Sequence, residues 1–188
     1  MFNKQNLVVV LGSGYVARFM PCLQNHYSTV LHTSRDPDRH LAWLPSDQRL
    51  RFDLARPDTW HNIPLGADLL WCFPAAPLDA VRSFTHRLAA SGKLVVLGST
   101  SAYDVADSAE YPPPWIDESA PIDCSKARVQ GEEFLRETRG AIVLRVAGIY
   151  GPGRSPYDWL KTGRVAVSRK YVNLIHVEDL AEACLARR

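Results

Sequence analysis

A run of five apolar residues at positions 7–11 leads directly into a glycine turn close to the start of the chain. An unbroken apolar run of strand length is typical of a strand buried on both faces of a parallel sheet. The turn has the spacing Gly12-x-Gly14-x-x-Ala17, and a helical pattern follows at residues 15–24. This order of strand, turn and helix restricts the chain to βαβ architecture. Pro21 lacks an N–H and should kink or shorten the helix.

The residue types in this turn suit the binding of a pyrophosphate. Gly12 permits a tight turn, Gly14 lets the backbone approach the phosphates, and Ala17 allows close packing of helix on strand. The start of the following helix offers free N–H groups to the anion. The alternative is a glycine-rich turn that holds no ligand. We predict that a dinucleotide lies on the loop made by Gly12, Ser13, Gly14, Tyr15 and Val16.

The residues after the second predicted strand bear on which dinucleotide is bound. An acidic residue about twenty positions beyond the glycines normally holds the adenosine 2′-hydroxyl of NAD. This chain has Ser34 and Arg35 there, and Asp36 comes only afterwards. A guanidinium beside a hydroxyl suits a 2′-phosphate, so NADP is favoured and NAD remains open. The alternative for Arg35 is a solvated loop residue.

Strand and helix patterns alternate along most of the chain, which predicts an α/β fold with a Rossmann-type doubly wound parallel sheet and helices on both faces. A long irregular stretch at residues 98–123 interrupts the alternation and contains three consecutive prolines. We predict one nucleotide-binding domain over residues 1–188, with a reduced substrate-side segment at 152–188. The predicted strands are 7–11, 28–33, 50–54, 67–73, 93–97, 141–146 and 172–177, and the predicted helices are 15–24, 78–91, 125–138 and 178–186.

Composition excludes several other classes of protein. The chain has 188 residues, 46% of them apolar and 22% charged, which is the balance of one globular domain. The formal net charge of +2 gives no reason to expect nucleic acid or an acidic membrane surface as a partner. No apolar stretch is long enough to span a bilayer. The four cysteines form no CxxC pair, so we expect reduced thiols, no metal site and a cytoplasmic protein.

Six short motifs, in order, resemble those of the extended and atypical short-chain dehydrogenase/reductases, the NAD-dependent epimerase/dehydratase group. The resemblance covers nearly the whole chain and begins at the glycine turn. The other five motifs are Asp53-Leu54, the run from Gly98 to Tyr103, Ser125-Lys126, the run from Leu144 to Arg154, and the run from Ile175 to Leu180.

The resemblance implies roles for further residues. It implies that Asp53 and Leu54 lie at the adenine and that Ala75 and Ala76 border the cofactor. It also implies that Ser99 is the catalytic hydroxyl that hydrogen-bonds the reacting oxygen. Ordinary structural roles remain open for Asp53 as a strand end and for Ser99 in a turn.

Lys126 matches the lysine of the family's Tyr-x-x-x-Lys motif, but the tyrosine position is occupied by Ile122. An isoleucine cannot transfer a proton, so the usual general acid/base is missing. Tyr111 is a substitute only if its loop folds inward, and a surface location remains open for Lys126.

Two functions therefore stand. One is an oxidoreductase or epimerase acting on a small polar or nucleotide-linked substrate, and the other is a non-catalytic NADP(H)-binding sensor or interaction module.

The last part of the chain allows two further expectations. Arg154, Tyr157 and Trp159 could line a small lid. His176 is expected to be a structural hydrogen-bonding residue. The sequence leaves the oligomeric state open, a homodimer included.

Overall fold

The computed structural model describes residues 5–88, 92–104, 110–112, 114–165 and 172–186. The main sheet has six strands: β1 (Gln5–Leu11), β2 (Tyr27–Ser34), β3 (Arg49–Arg51), β4 (Asp68–Trp71), β5 (Leu94–Leu97) and β6 (Ile142–Leu144). They are all parallel and lie in the order β3-β2-β1-β4-β5-β6. This order is that of a doubly wound sheet, in which the strand order reverses between β1 and β4.

The central strand is apolar on both faces because both faces of the sheet are covered. Val9 and Leu11 of β1 face a core that also contains Phe84 and Leu135, which lie on two helices covering that face. Val8 and Val10 belong to the opposite core, which includes residues of the helix at the end of the chain. The predicted fold class is therefore confirmed. The helices are α1 (Leu23–His26), α2 (Pro37–His40), α3 (Leu78–Arg87), α4 (Ala127–Arg139), α5 (Pro156–Lys161) and α6 (Val177–Ala186).

The helix predicted for residues 15–24 is wrong as a continuous element. A single 3-10 turn, Val16–Phe19, follows the glycines, and α1 begins only at Leu23. The helix is interrupted around Pro21, which has no N–H to continue the helical hydrogen bonds. The other predicted elements are present with bounds that differ by a few residues: β1, β2 and α6 are longer than predicted, and β3 to β6 are shorter. The end of the helix predicted for 78–91 lies outside the described residues from position 89 onward.

Residues after β6 form a small unit that the sequence patterns predicted only in part. β7 (Gly148–Tyr150) pairs in parallel with β8 (Leu174–His176), and α6 follows directly. The sequence predicted a strand and a helix at the end of the chain but neither β7 nor α5. None of the helices within the described ranges is long and apolar enough to cross a membrane.

Candidate dinucleotide-binding site

A cleft of about 860 Å³ lies at the carboxyl ends of β1 to β4. This is where ligands bind in doubly wound sheets, beside the point at which the strand order reverses. Its volume is within the range of small-molecule and cofactor sites. Of the residues predicted to bind cofactor, nine line this cleft: Gly12, Ser13, Gly14, Tyr15, Ser34, Arg35, Asp53, Leu54 and Ala76.

The glycine turn has the backbone geometry that its sequence predicts. Gly12 has a φ of +81°, and a Cβ at this position would lie 2.6 Å from Cδ1 of Phe73. Glycine is therefore required both by the left-handed backbone and by space. At Gly14 an added Cβ would meet no atom within 4 Å, so this position opens into the cleft. The open space at Gly14 fits the close approach of a phosphate, which a side chain there would obstruct.

Hydrogen bonds from the end of β2 hold the turn in place. The Gly12 and Ser13 N–H groups donate to the hydroxyl and the carbonyl of Thr33, both at 2.9 Å. The Ser13 hydroxyl donates to the Val10 carbonyl and lies 3.1 Å from Nδ1 of His32. Burial lowers the pKa of His32 to about 4, so the ring is neutral at pH 7. The groups that hold the glycine turn, from Val10, His32 and Thr33, are thus all uncharged at pH 7.

The rim of the cleft is cationic at the end of β2. Arg18, Arg35 and Arg39 all line it. His40, the residue after Arg39, lines it too, with its Nδ1 2.8 Å from the Ser34 hydroxyl. Arg35 and Arg39 are both exposed. This grouping suits an anion with several oxygens, because guanidinium groups bind phosphate oxygens through paired N–H donors.

Sequence reasoning missed Arg18, Arg39 and His40, although a local signal for two of them exists. Asp36 followed by Pro37 is a typical helix start, and the Asp36 side chain accepts a hydrogen bond from the Arg39 N–H. This short helix, α2, places Arg39 and His40 at the cleft beside Arg35. The Asp36 carboxylate is used as the helix cap.

Part of the cleft wall is aromatic. Phe52 and Phe73 line it, with their ring centroids 6.3 Å apart. Asp53 accepts the Ala55 N–H at 3.0 Å, so its carboxylate closes a local turn at the end of β3. Aromatic surface beside a polar backbone turn suits a nucleobase.

Val16 and Ala75 do not line the cleft. Val16 packs in the core on one side of the sheet, and Ala75 is fully buried on the other. The Ala75 carbonyl lies so close to α4 that a Cβ on Gly131 would come within 1.8 Å of it. Any part that these two residues play in binding therefore falls to their backbones.

Ser99 and Lys126 lie outside this cleft, after β5 and at the start of α4. The Ser99 hydroxyl accepts bonds from the Ser101 N–H and hydroxyl at 3.2 and 3.0 Å. Lys126 Nζ donates to the Ser101 carbonyl at 2.7 Å and lies 3.3 Å from the Asp123 carboxylate. Ser101 therefore contacts both predicted catalytic residues. Ser125 donors, and secondarily Lys126, lower the pKa of Asp123.

Ile122 is held in a backbone bridge with Tyr103, and its side chain is half-buried. Tyr111 is 76% exposed, so its loop does not turn that phenol inward.

Arg145 stacks on Tyr103 next to a buried carboxylate. The guanidinium carbon of Arg145 lies 5.4 Å from the centroid of the Tyr103 ring. Arg145 also lies 3.7 Å from Glu132, which is fully buried. Burial raises the pKa of Glu132 and its two arginine neighbours oppose that shift.

The three cysteines near the sheet pack in one apolar layer. Cys22 and Cys72 lie against buried Cys184, and all four thiols of the chain are free. Burial raises the pKa of Cys184 to about 12 and that of Cys72 further, so neither is a thiolate at neutral pH. No group of three or more metal-ligating side chains occurs in the part of the chain that the structure describes.

No protein-family model matches the chain, and no curated protein sequence matches it either. Solved structures do match. A Methylobacillus flagellatus protein, provisionally assigned as an NAD-dependent epimerase/dehydratase, is 23% identical over 98% of this chain and 70% of its own, with a TM-score of 0.71.

Two further structures were determined with cofactors. UDP-glucose 4-epimerase from Brucella ovis, in complex with NAD, is 14% identical over 96% of this chain and 72% of its own, with a TM-score of 0.64. RMD from Pseudomonas aeruginosa, complexed with NADPH, is 19% identical over 96% and 71%, with a TM-score of 0.61. At these identities the similarity is one of fold, and the chain has the doubly wound, Rossmann-like α/β fold found in these proteins.

Proposed function

We propose that the chain binds NADP(H) in the cleft at the carboxyl ends of β1 to β4. The observation that carries this proposal is the pairing, in one cleft, of an open glycine turn with a group of guanidinium side chains. Gly14 leaves space for the diphosphate, and Arg35 and Arg39 stand where a 2′-phosphate would need cations. The aromatic wall formed by Phe52 and Phe73 supplies a surface for the adenine.

The preference for NADP over NAD rests on the charges at the end of β2. Asp36, the nearest carboxylate in sequence, caps α2 through its Oδ1 and is not among the residues that line the cleft. A 2′-phosphate would instead meet Arg35, Arg39 and the Ser34 hydroxyl. The neighbours in fold include both an NAD-bound and an NADPH-bound protein, so the choice depends on this chain's own residues.

The domain organisation belongs to the same proposal. Residues 1–188 would act as one dinucleotide-binding unit, and residues 152–188 would border the substrate side. The chain covers 70–72% of the length of the three structures named above. A small polar or nucleotide-linked substrate is the class suggested by the fold.

Catalysis would fall to the residues between β5 and α4. A bound nicotinamide supplies hydride transfer, and the protein supplies orientation and proton transfer. Ser99 could hydrogen-bond a reacting oxygen, and Lys126 could hold a ribose and stabilise negative charge nearby. Neither is an efficient proton donor, and Ile122 stands where a tyrosine would act.

The second candidate function is non-catalytic binding, as a sensor or interaction module. Two observations favour it. Lys126 is already bound to the Ser101 carbonyl and paired with Asp123, and Ile122 is fixed in its bridge with Tyr103. General acid/base catalysis contributes a factor of about a hundred to ten thousand, so a chain without it should be a poor catalyst.

Gly14→Val tests cofactor binding directly. The Cβ of a valine at this position would meet no protein atom within 4 Å, so we expect the fold to be retained while the branched side chain obstructs the dinucleotide. Calorimetric titration with NADPH measures the loss, and circular dichroism reports on the fold. Ala42→Val is the matched control, because Ala42 is exposed and does not line the cleft. Undiminished binding by Gly14→Val would overturn the assignment of the diphosphate to this turn.

Turnover separates the two functions. The wild-type protein should show little or no NADPH-dependent turnover on a panel of carbonyl and sugar-nucleotide substrates. Robust turnover would reject the non-catalytic function. In that case Ser99→Ala and Tyr111→Phe would show whether either residue replaces the missing tyrosine.

A further inference from the structure

A short turn after β7 reaches back across the chain to the glycine loop. Gly151 and Arg154 bond each other through both backbone N–H groups, at 3.1 and 2.9 Å, and so close the turn. The Tyr15 hydroxyl donates to the Pro152 carbonyl at 3.1 Å. A Cβ at Gly151 would lie 2.7 Å from the Tyr15 oxygen, so the turn packs directly on this tyrosine.

The turn presents one cation next to the cleft. The guanidinium carbon of Arg154 lies 5.3 Å from the centroid of the Tyr15 ring, and Tyr15 lines the cleft. A guanidinium stacked on an aromatic ring is held in orientation while its N–H edge stays available. Arg154 is therefore a positioned cation, one side chain away from the proposed cofactor.

Arg154 has no carboxylate partner among the described residues. Its Nε is buried and makes no hydrogen bond to any of them. The nearest acidic residue in sequence is Asp158, and its carboxylate accepts a hydrogen bond from the Ser155 hydroxyl. That hydroxyl in turn caps α5 by accepting the Asp158 N–H. A partly buried guanidinium without an anion is costly, because desolvation is not offset by a counter-ion. A ligand that brings oxyanions would remove this cost.

We propose that Arg154 is an anion-binding residue that takes a phosphate or carboxylate group beside the glycine loop. The proposal builds on cofactor binding in the cleft. The group could belong to the cofactor's diphosphate or to an anionic second ligand, and both present the paired oxygens that a guanidinium binds. The turn would then link the end of the chain to the occupied cleft through Tyr15.

Arg154→Met tests the proposal, because methionine keeps much of the apolar stem and removes the charge and the N–H donors. Arg164→Met is the matched control: Arg164 stacks on Trp159 at 5.9 Å in a similar way but is exposed. Arg154→Lys keeps the charge without the paired donors and should be intermediate. It also serves if the methionine variant does not fold.

The first measurement is calorimetric titration with NADPH and with adenosine 2′-monophosphate, which has no diphosphate. If Arg154 binds the diphosphate, Arg154→Met weakens NADPH binding by about tenfold or more and leaves the monophosphate unaffected. The second measurement is the Tm of NADPH-saturated protein with added malonate or inorganic phosphate at constant ionic strength. If the anion belongs to a second ligand, these probes raise the Tm of the wild type but not of Arg154→Met.

Either result supports the proposal, and Arg154→Met behaving like Arg164→Met in both measurements overturns it. A wild type that binds no NADPH would refute the cofactor assignment separately. Inorganic pyrophosphate alone then decides the role of Arg154. Stabilisation of the wild type but not of Arg154→Met supports an anion site, and equal or absent stabilisation in both overturns it.

Discussion

Lowering the pH from 7 to 5 should destabilise the protein through His32. The ring is 6% exposed, between the Ser13 hydroxyl and the Trp43 ring, and burial lowers its pKa from 6.5 to about 4. The unfolded chain therefore takes up a proton near pH 6.5, whereas the folded chain does so only near pH 4. The stability contributed by neutral His32 is complete above pH 6.5 and is lost as the pH falls towards 4. Linkage puts the loss between pH 7 and pH 5 at about 2 kcal/mol.

The assay is urea unfolding of the wild type and of His32→Asn at both pH values. Asparagine does not titrate and retains a polar group near Ser13, while the other ionisable residues are common to both proteins. The wild type should lose about 2 kcal/mol more than the variant between pH 7 and pH 5. Equal losses would show that the ring is not buried in neutral form beneath the glycine turn.

Three substitutions test other parts of the structure. The wild type should bind NADPH more tightly than NADH, and Arg35→Ala should remove most of that preference, about tenfold or more by calorimetry, since it removes a charge-assisted contact; tighter NADH binding by the wild type would contradict this. Ile122→Tyr should keep the native circular dichroism spectrum, because the side chain is only half-buried, and it should raise turnover above the wild-type level if a substrate enters; loss of the native spectrum would contradict the placement of Ile122. Gly131→Ala should destabilise the protein by about 1–3 kcal/mol in urea unfolding, because its Cβ would lie 1.8 Å from the Ala75 carbonyl; an unchanged midpoint would mean that α4 sits further from that loop.

The strands of the main sheet could be predicted from sequence because burial on both faces leaves a plain signal. The run at positions 7–11 is apolar without interruption, and Gly12 directly after it has a left-handed backbone. These signals are local, since each depends on residues within a few positions.

The features that the sequence did not predict depend on contacts between distant parts of the chain. β7 and β8 have three residues each and are stabilised by pairing across 23 intervening residues, from Tyr150 to Leu174. The sequence Gly151-Pro152-Gly153 indicated only a break in the pattern. Its contact with Tyr15 joins residues 137 positions apart, and no local pattern reports it.

The short helical turn after the glycines affects how an anion can be held in the cleft. A long helix would bring a macrodipole to the phosphates, but Val16–Phe19 is only four residues and ends before Pro21. Much of the positive potential must then come from side chains. Arg18, Arg35 and Arg39 line the cleft, and Arg154 lies against Tyr15. The arginines around the glycine turn thus supply positive charge that a helical turn of only four residues does not.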